Sequence, residues 1–194
     1  MLRFLITTLS LVVLLPVFAS EKPYDALPLR NQANRAFTLR DFSRGYSLLT
    51  FFFTSCPMQK MCPLSIRKTK MVLQATKKAR GPELNAIGIT LDPARDTVKR
   101  LAAYSKREGL DDQRFWLATG SGADLDRIAS EFNVIGIGQG GAVSHNVRSV
   151  LLGPGLRFIK NLDENEWAPE DVVKAIQADT TSFSLADRQL TSPS

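Results

Sequence analysis

Two apolar runs stand out in the body of the chain, Tyr46 to Phe53, dominated by Leu, Phe and Thr without polar alternation, and Leu84 to Leu91. Runs of that length and character predict strands buried on both faces of a covered sheet. Between them, Pro63 to Arg80 places Leu64, Met71, Val72, Ala75 and Ala79 near one helical face among Lys and Arg, and Gly81-Pro82 ends the pattern. Asp96 and Thr97 offer cap oxygens for a second helix to about Arg107, closed by Gly109. A strand near Arg114 to Ala118 and a helix over Gly122 to Phe132 follow. A loop with Gly136, Gly138, Gly140 and Gly141 then leads to His145. Asn146 to Leu152 and Leu156 to Leu162 flank Gly153-Pro154-Gly155, which predicts a hairpin. Pro169 opens a last helix to about Gln177, and residues 180–194 are polar enough to fray. Residues 20–45 lack strong periodicity and carry one short extended piece around Ala36 to Leu39.

That order of elements predicts an α/β architecture: a mostly parallel central sheet, helices on both faces and a C-terminal antiparallel hairpin, as in a thioredoxin-like fold. No internal repeat or second core is evident. The expected organisation is a lead-in over 20–35, one domain over 36–178 and a flexible tail over 179–194. Ahead of these, Met1-Leu2-Arg3, the apolar run Phe4 to Leu15 and the small-residue pattern ending at Ala19 read as a secretory signal peptide over 1–19, with an uncleaved anchor as the alternative. Phe4 to Ala19 falls short of the ~20 apolar residues that span a bilayer. The chain is therefore expected to work outside the cytoplasmic membrane, in the periplasm or on the membrane's outer face, where a disulfide can persist.

Composition narrows the chemistry. With 44% hydrophobic and 23% charged residues, the chain has the make-up of a globular domain rather than a disordered one. Its net charge of +6 is interleaved along the sequence, which gives no nucleic-acid arm but suits an anionic membrane surface or an acidic partner. Two cysteines and one histidine are the whole stock of soft ligands. A monomer is expected.

Cys56 and Cys62 sit where the first core strand ends and the first helix begins. Positions six apart on a regular helix are separated by about 240° and about 9 Å of rise, so one helix cannot bring these sulfurs together. Pro57 and Pro63 suggest a loop from Cys56 to Cys62, with Cys62 in the manner of an N-cap and Pro63 at the first helical position. Positive potential at that helix end, with Lys60 and Arg67 nearby, is expected to favour the thiolate of at least one sulfur, the form that binds metal or attacks a disulfide. A simple stabilising disulfide, or two buried apolar cysteines, is the plainer alternative. In the expected topology the loop bearing His145 lies beside the cysteine loop. Two thiolates and one imidazole would make a three-coordinate soft site suited to Cu(I), and to Cu(II) with an added ligand; a closed zinc site normally takes four protein ligands.

Several strings together resemble the SCO/SenC family: Phe52-Phe53-Thr54-Ser55-Cys56-Pro57, Cys62-Pro63-Leu64, Thr90-Leu91-Asp92-Pro93-Ala94-Arg95-Asp96-Thr97, Thr119-Gly120 and Ser144-His145-Asn146. The resemblance runs over roughly residues 36 to 178. It implies a thioredoxin-like, exported or membrane-anchored copper protein. By this resemblance Cys56, Cys62 and His145 are the metal ligands, and the copper centre of cytochrome c oxidase, or another copper protein, is the recipient. It also implies a redox-active cysteine pair, which can form a disulfide and be served by a thiol-reductant partner. The family usually has three residues between its cysteines and an acidic residue after the first Cys-Pro. This chain has five and reads Met58-Gln59-Lys60-Met61, which brings in Met58 and Met61 as thioether ligands to weigh against ordinary packing roles. Asp92 and Asp96 are expected in turn and cap roles.

The chief rival is a thiol–disulfide oxidoreductase of the same fold, acting through a mixed disulfide. The spacer of five and the lack of any proline between Phe132 and Leu152 depart from the ordinary thioredoxin pattern and favour metal binding. A noncatalytic interaction domain stapled by its cysteines is a third reading.

Overall fold

The computed structural model describes residues 24–78, 83–110, 113–134, 136–138, 143–146 and 148–190, with the side chains of 136–138, 143–145 and 183–190 left aside. The expected signal peptide at 1–19 and the Gly81-Pro82 helix stop lie outside the described residues. Among these residues no helix is long and apolar enough to cross a membrane.

The strands are β1 (Leu29–Asn31), β2 (Ala36–Phe37), β3 (Tyr46–Phe52), β4 (Leu84–Thr90), β5 (Phe115–Thr119), β6 (Gly136–Gly138), β7 (Val143–His145), β8 (Arg148–Gly153) and β9 (Arg157–Asp163). The α-helices are α1 (Cys62–Lys78), α2 (Val98–Glu108), α3 (Gly122–Glu131) and α4 (Pro169–Leu190). Seven strands form one sheet in the order β2-β1-β5-β4-β3-β8-β9, and β6 pairs with β7 in a separate two-stranded ladder. The two apolar runs are the central parallel pair, in register from Tyr46 opposite Leu84 to Phe52 opposite Thr90. β5 joins β4 in parallel, and β8 and β9 add the antiparallel hairpin on the other side. Gly155 takes φ 68° in the turn, as the Gly-Pro-Gly signal demands.

The sheet is more mixed than expected. The three central strands are parallel, but β1 from the lead-in runs antiparallel to β5 and carries β2. The Gln32 side chain extends this pairing by donating to the Phe115 carbonyl at 2.8 Å and accepting from the Leu117 N–H at 2.7 Å. α4 also outruns its expected end at Gln177. Its extension is pinned where Asp179 takes two bonds from Arg157 at 2.7 Å and one from the Tyr46 hydroxyl at 2.9 Å. The Arg157 guanidinium holds the Asp179 carboxyl below its ordinary range.

Strand alternation divides the core. Leu48 and Phe52 face α1, α2 and α4, whereas Leu49 and Phe51 face α3 and the segment around Phe37 and Phe42. The buried stripe of α1 is not the one its apolar letters suggest: it runs through Cys62, Ser65, Ile66, Thr69, Val72, Leu73 and Thr76, while Met71 faces outward. Its polar members are internally satisfied, Thr69 by the Thr50 hydroxyl at 2.8 Å and Thr76 by the carbonyls of Val72 and Leu73 at 3.0 Å.

Candidate metal centre

The all-buried strand β3 delivers its carboxyl end to the same edge as that of β4, and the Leu91 N–H donates to the Phe52 carbonyl at 2.8 Å just beyond the ladder. The cysteine loop starts there. The Cys56 N–H donates to the Phe53 carbonyl at 3.3 Å, and the Met58 carbonyl accepts from the Met61 N–H at 3.0 Å and from the Cys56 thiol at 3.8 Å. This turn absorbs the long spacer. The Met61 carbonyl then accepts the first helical bond of α1, from the Ser65 N–H at 3.0 Å, so Cys62 is the first helical residue rather than the cap. Pro63 occupies the first turn, where its missing N–H costs nothing.

Neither cysteine is in a disulfide; both lie in the core layer beneath α1, Cys56 at 9% exposure and Cys62 at 1%, with their side chains as neighbours. Burial pushes the Cys62 thiol well above its ordinary range; the backbone at Phe53 opposes this, and the neighbouring Cys56 adds to the rise. At Cys62, burial outweighs the pull of the helix end toward thiolate, an effect expected for at least one of the two sulfurs. Lys60 is exposed and Arg67 turns back to the Gln59 carbonyl at 3.4 Å, so neither offsets the loss of solvent around the sulfur. Tyr104, 3% exposed, shares this layer, and its phenol is raised by burial first, then by Glu108 and the two cysteines.

Two buried polar clamps hold the loop. At its entrance, the Asp96 carboxylate is 0% exposed and accepts from the Thr54 N–H at 3.0 Å, the Thr54 hydroxyl and the Thr90 hydroxyl at 2.6 Å. Asp96 is thus a tie between β3, β4 and α2. The helix cap is Thr97, whose hydroxyl accepts from the Arg100 N–H. Asp92 keeps the expected turn role, its backbone carbonyl accepting from the N–H groups of Arg95 and Asp96. At the exit, Asn165 donates to the carbonyls of Lys60 at 3.2 Å and Met61 at 3.1 Å and accepts from the Ser65 hydroxyl at 2.8 Å. Its backbone sits at φ 56°, which Asn tolerates better than most residues. Sequence reasoning missed Asn165, although an Asn just beyond a strand was a usable turn signal.

His145 ends β7 with its Cα paired opposite Gly136. Its imidazole, and residues 139–142 of the glycine-rich loop, lie outside what the structure describes. The following Asn146 donates to the Asn133 carbonyl at 3.1 Å, which ties the exit of this ladder to the end of α3. Among the described residues no third His, Cys, Asp or Glu joins the two thiols in a metal-ligating group. The structure thus unites Cys56 with Cys62. Of the methionines, Met61 packs against the core layer and Met58 is exposed. A buried pair of cysteines of this kind can exchange thiol protons for a soft monovalent metal, or lose two electrons and two protons to become a disulfide.

Comparison with known proteins accords with this geometry. The SCO1/SenC family model matches residues 21–181. Protein sco1 of Schizosaccharomyces pombe is 29% identical over 159 residues, covering 78% of this chain and 58% of that protein. The chain thus spans about half the length of such relatives. The crystal structure of yeast Sco1 with copper bound superposes with a TM-score of 0.68 at 22% identity, over 86% of this chain and 93% of that one. BsSco, described by its structure as a member of the Sco family of cytochrome c oxidase assembly proteins with a disulfide switch, also gives 0.68 at 22% identity, over 80% and 91%. At such identities these likenesses establish the thioredoxin-like α/β fold. With a match that runs from the edge of the lead-in through most of α4, the chain belongs to the SCO1/SenC family.

Proposed function

We propose that this chain is an exported copper chaperone, holding Cu(I) on Cys56, Cys62 and His145 and releasing it by ligand exchange during assembly of the copper centre of cytochrome c oxidase. The observation that carries the reading is the pair of adjacent, shielded thiols at the head of α1 in a chain of this family. Relatives support it: yeast Sco1 has been solved with copper bound, and BsSco carries a disulfide switch. Two sulfurs alone would leave the ion open to solvent and competing thiols. The single imidazole of the chain, on the ladder that follows α3, supplies a third donor of suitable softness. Oxidation of the pair by a partner disulfide would remove both sulfur ligands at once, and a thiol reductant would restore them.

The reading predicts one Cu(I) per reduced chain in a titration against a competing chelator. Cys56→Ser or Cys62→Ser should abolish tight binding. His145→Ala should weaken it by more than the ~10–100-fold typical of a residue that only orients a ligand. Unchanged affinity in the His145 variant would remove that residue from the ligand set. Rapid disulfide exchange on protein substrates without copper, surviving His145→Ala, would favour the oxidoreductase instead. The protonated, buried Cys62 speaks against it as an attacking group at neutral pH.

A further inference from the structure

The outer side of α1 has a composition that core packing does not explain. From Phe42 to Pro82 the chain contains no Asp or Glu, while Lys and Arg recur through it. Helical spacing puts Arg67, Met71, Gln74 and Lys78 on one exposed stripe. The cysteine loop prolongs this stripe at its N-terminal end with Met58 and Lys60, and the Arg67 guanidinium joins the two parts through the Gln59 carbonyl. Met71 at 51% exposure and Met58 at 49% are, with the distant-in-sequence Phe158, the large hydrophobic side chains exposed among the described residues. None of the ion pairs among those residues takes a cation from the stripe.

A cationic stripe bearing two flexible thioethers matches an adaptable protein interface with electrostatic steering. A lipid surface fits less well: the apolar face of α1 is committed to the core, and the stripe offers no aromatic side chain to bury among headgroups. We propose that this stripe is the docking face for the copper-accepting protein, and that the partner presents a carboxylate-rich surface beside its own metal ligands. The inference rests on the copper-carrier reading. The stripe starts at the loop that holds Cys56, so a partner lying along it also meets that loop, while Cys62 itself sits on the opposite, buried side of α1.

The test uses the purified chain and the recombinant copper-accepting domain of the same organism's cytochrome c oxidase. Transfer of Cu(I) to that domain should slow at least about tenfold as salt rises through the physiological range, since screening removes steering. A Met71→Glu, Gln74→Glu, Lys78→Glu variant, altered only on the outer stripe of α1 and outside the cysteine loop, should transfer about tenfold or more slowly at low salt and lose the salt dependence, while delivering copper to a small chelator at the wild-type rate. Calorimetric binding of the copper-free chain to the same domain should weaken at least tenfold in that variant. Equal transfer and binding by both chains, or no binding of the domain by either, would overturn the proposal. So would sedimentation with phosphatidylglycerol vesicles that is lost in the variant while protein transfer is untouched, which would assign the stripe to a membrane. Failure to load copper from the chelator, with charge-dependent binding to the domain retained, would sink the copper reading and leave the docking face standing.

Discussion

Asp96→Ala is expected to destabilise the folded chain by about 3–5 kcal/mol, measured as the shift of the denaturant midpoint with its slope unchanged. The carboxylate is fully buried and receives a backbone N–H and two threonine hydroxyls, so alanine leaves three donors without an acceptor, the fully buried Thr90 hydroxyl among them. Arg100 does not rescue it, being half exposed at the rim and already donating to the Thr54 hydroxyl at 2.7 Å. Because Thr54 opens the cysteine loop, the same variant should weaken Cu(I) binding about 10–100-fold, the scale of a lost supporting residue. A loss of under about 1 kcal/mol would show that the tie is dispensable.

The second large effect concerns pH. Burial keeps Cys62 protonated well past the ordinary thiol value of 9.0, so copper must displace that proton to bind. Each proton displaced makes the apparent affinity rise about tenfold per pH unit while the thiol remains protonated, or about a hundredfold from pH 7 to pH 9. The sign for the metal-free protein is opposite. A thiol whose folded value is raised supports the fold below the unfolded value, and that support fades as pH climbs through the folded value. Chelator competition at several pH values, paired with denaturation of the copper-free chain, measures both. A pH-independent affinity would mean that the sulfur was already ionised.

Some of this was legible in the residues and some was not. The central strands were readable because β3 and β4 are mostly apolar runs without polar alternation, and the β8–β9 hairpin because Gly153-Pro154-Gly155 leaves the chain little choice. The cysteine pairing followed from prolines on both sides of a strand-to-helix junction. The face of α1 was misread because Ser65, Thr69 and Thr76 look like surface letters yet are buried with their hydroxyls bonded internally, which hides the true phase of the stripe. β1 escaped notice because three residues joined by a glutamine side chain leave no periodic signal. The protonation of Cys62 depends on how much solvent the fold removes from one sulfur, a tertiary quantity that local charge letters do not encode. Asn165 acts across a hundred residues of sequence from Ser65, so its partnership with the cysteine loop is visible only in three dimensions.

The central claim is that both sulfurs and the one imidazole share a copper ion. X-ray absorption at the copper edge of the reduced, Cu(I)-loaded chain tests it most directly, with His145→Ala measured alongside. The account predicts two sulfur scatterers and one imidazole nitrogen in the wild type, the nitrogen and its ring scattering disappearing in the variant. A sulfur-only shell that is identical in both proteins would contradict it.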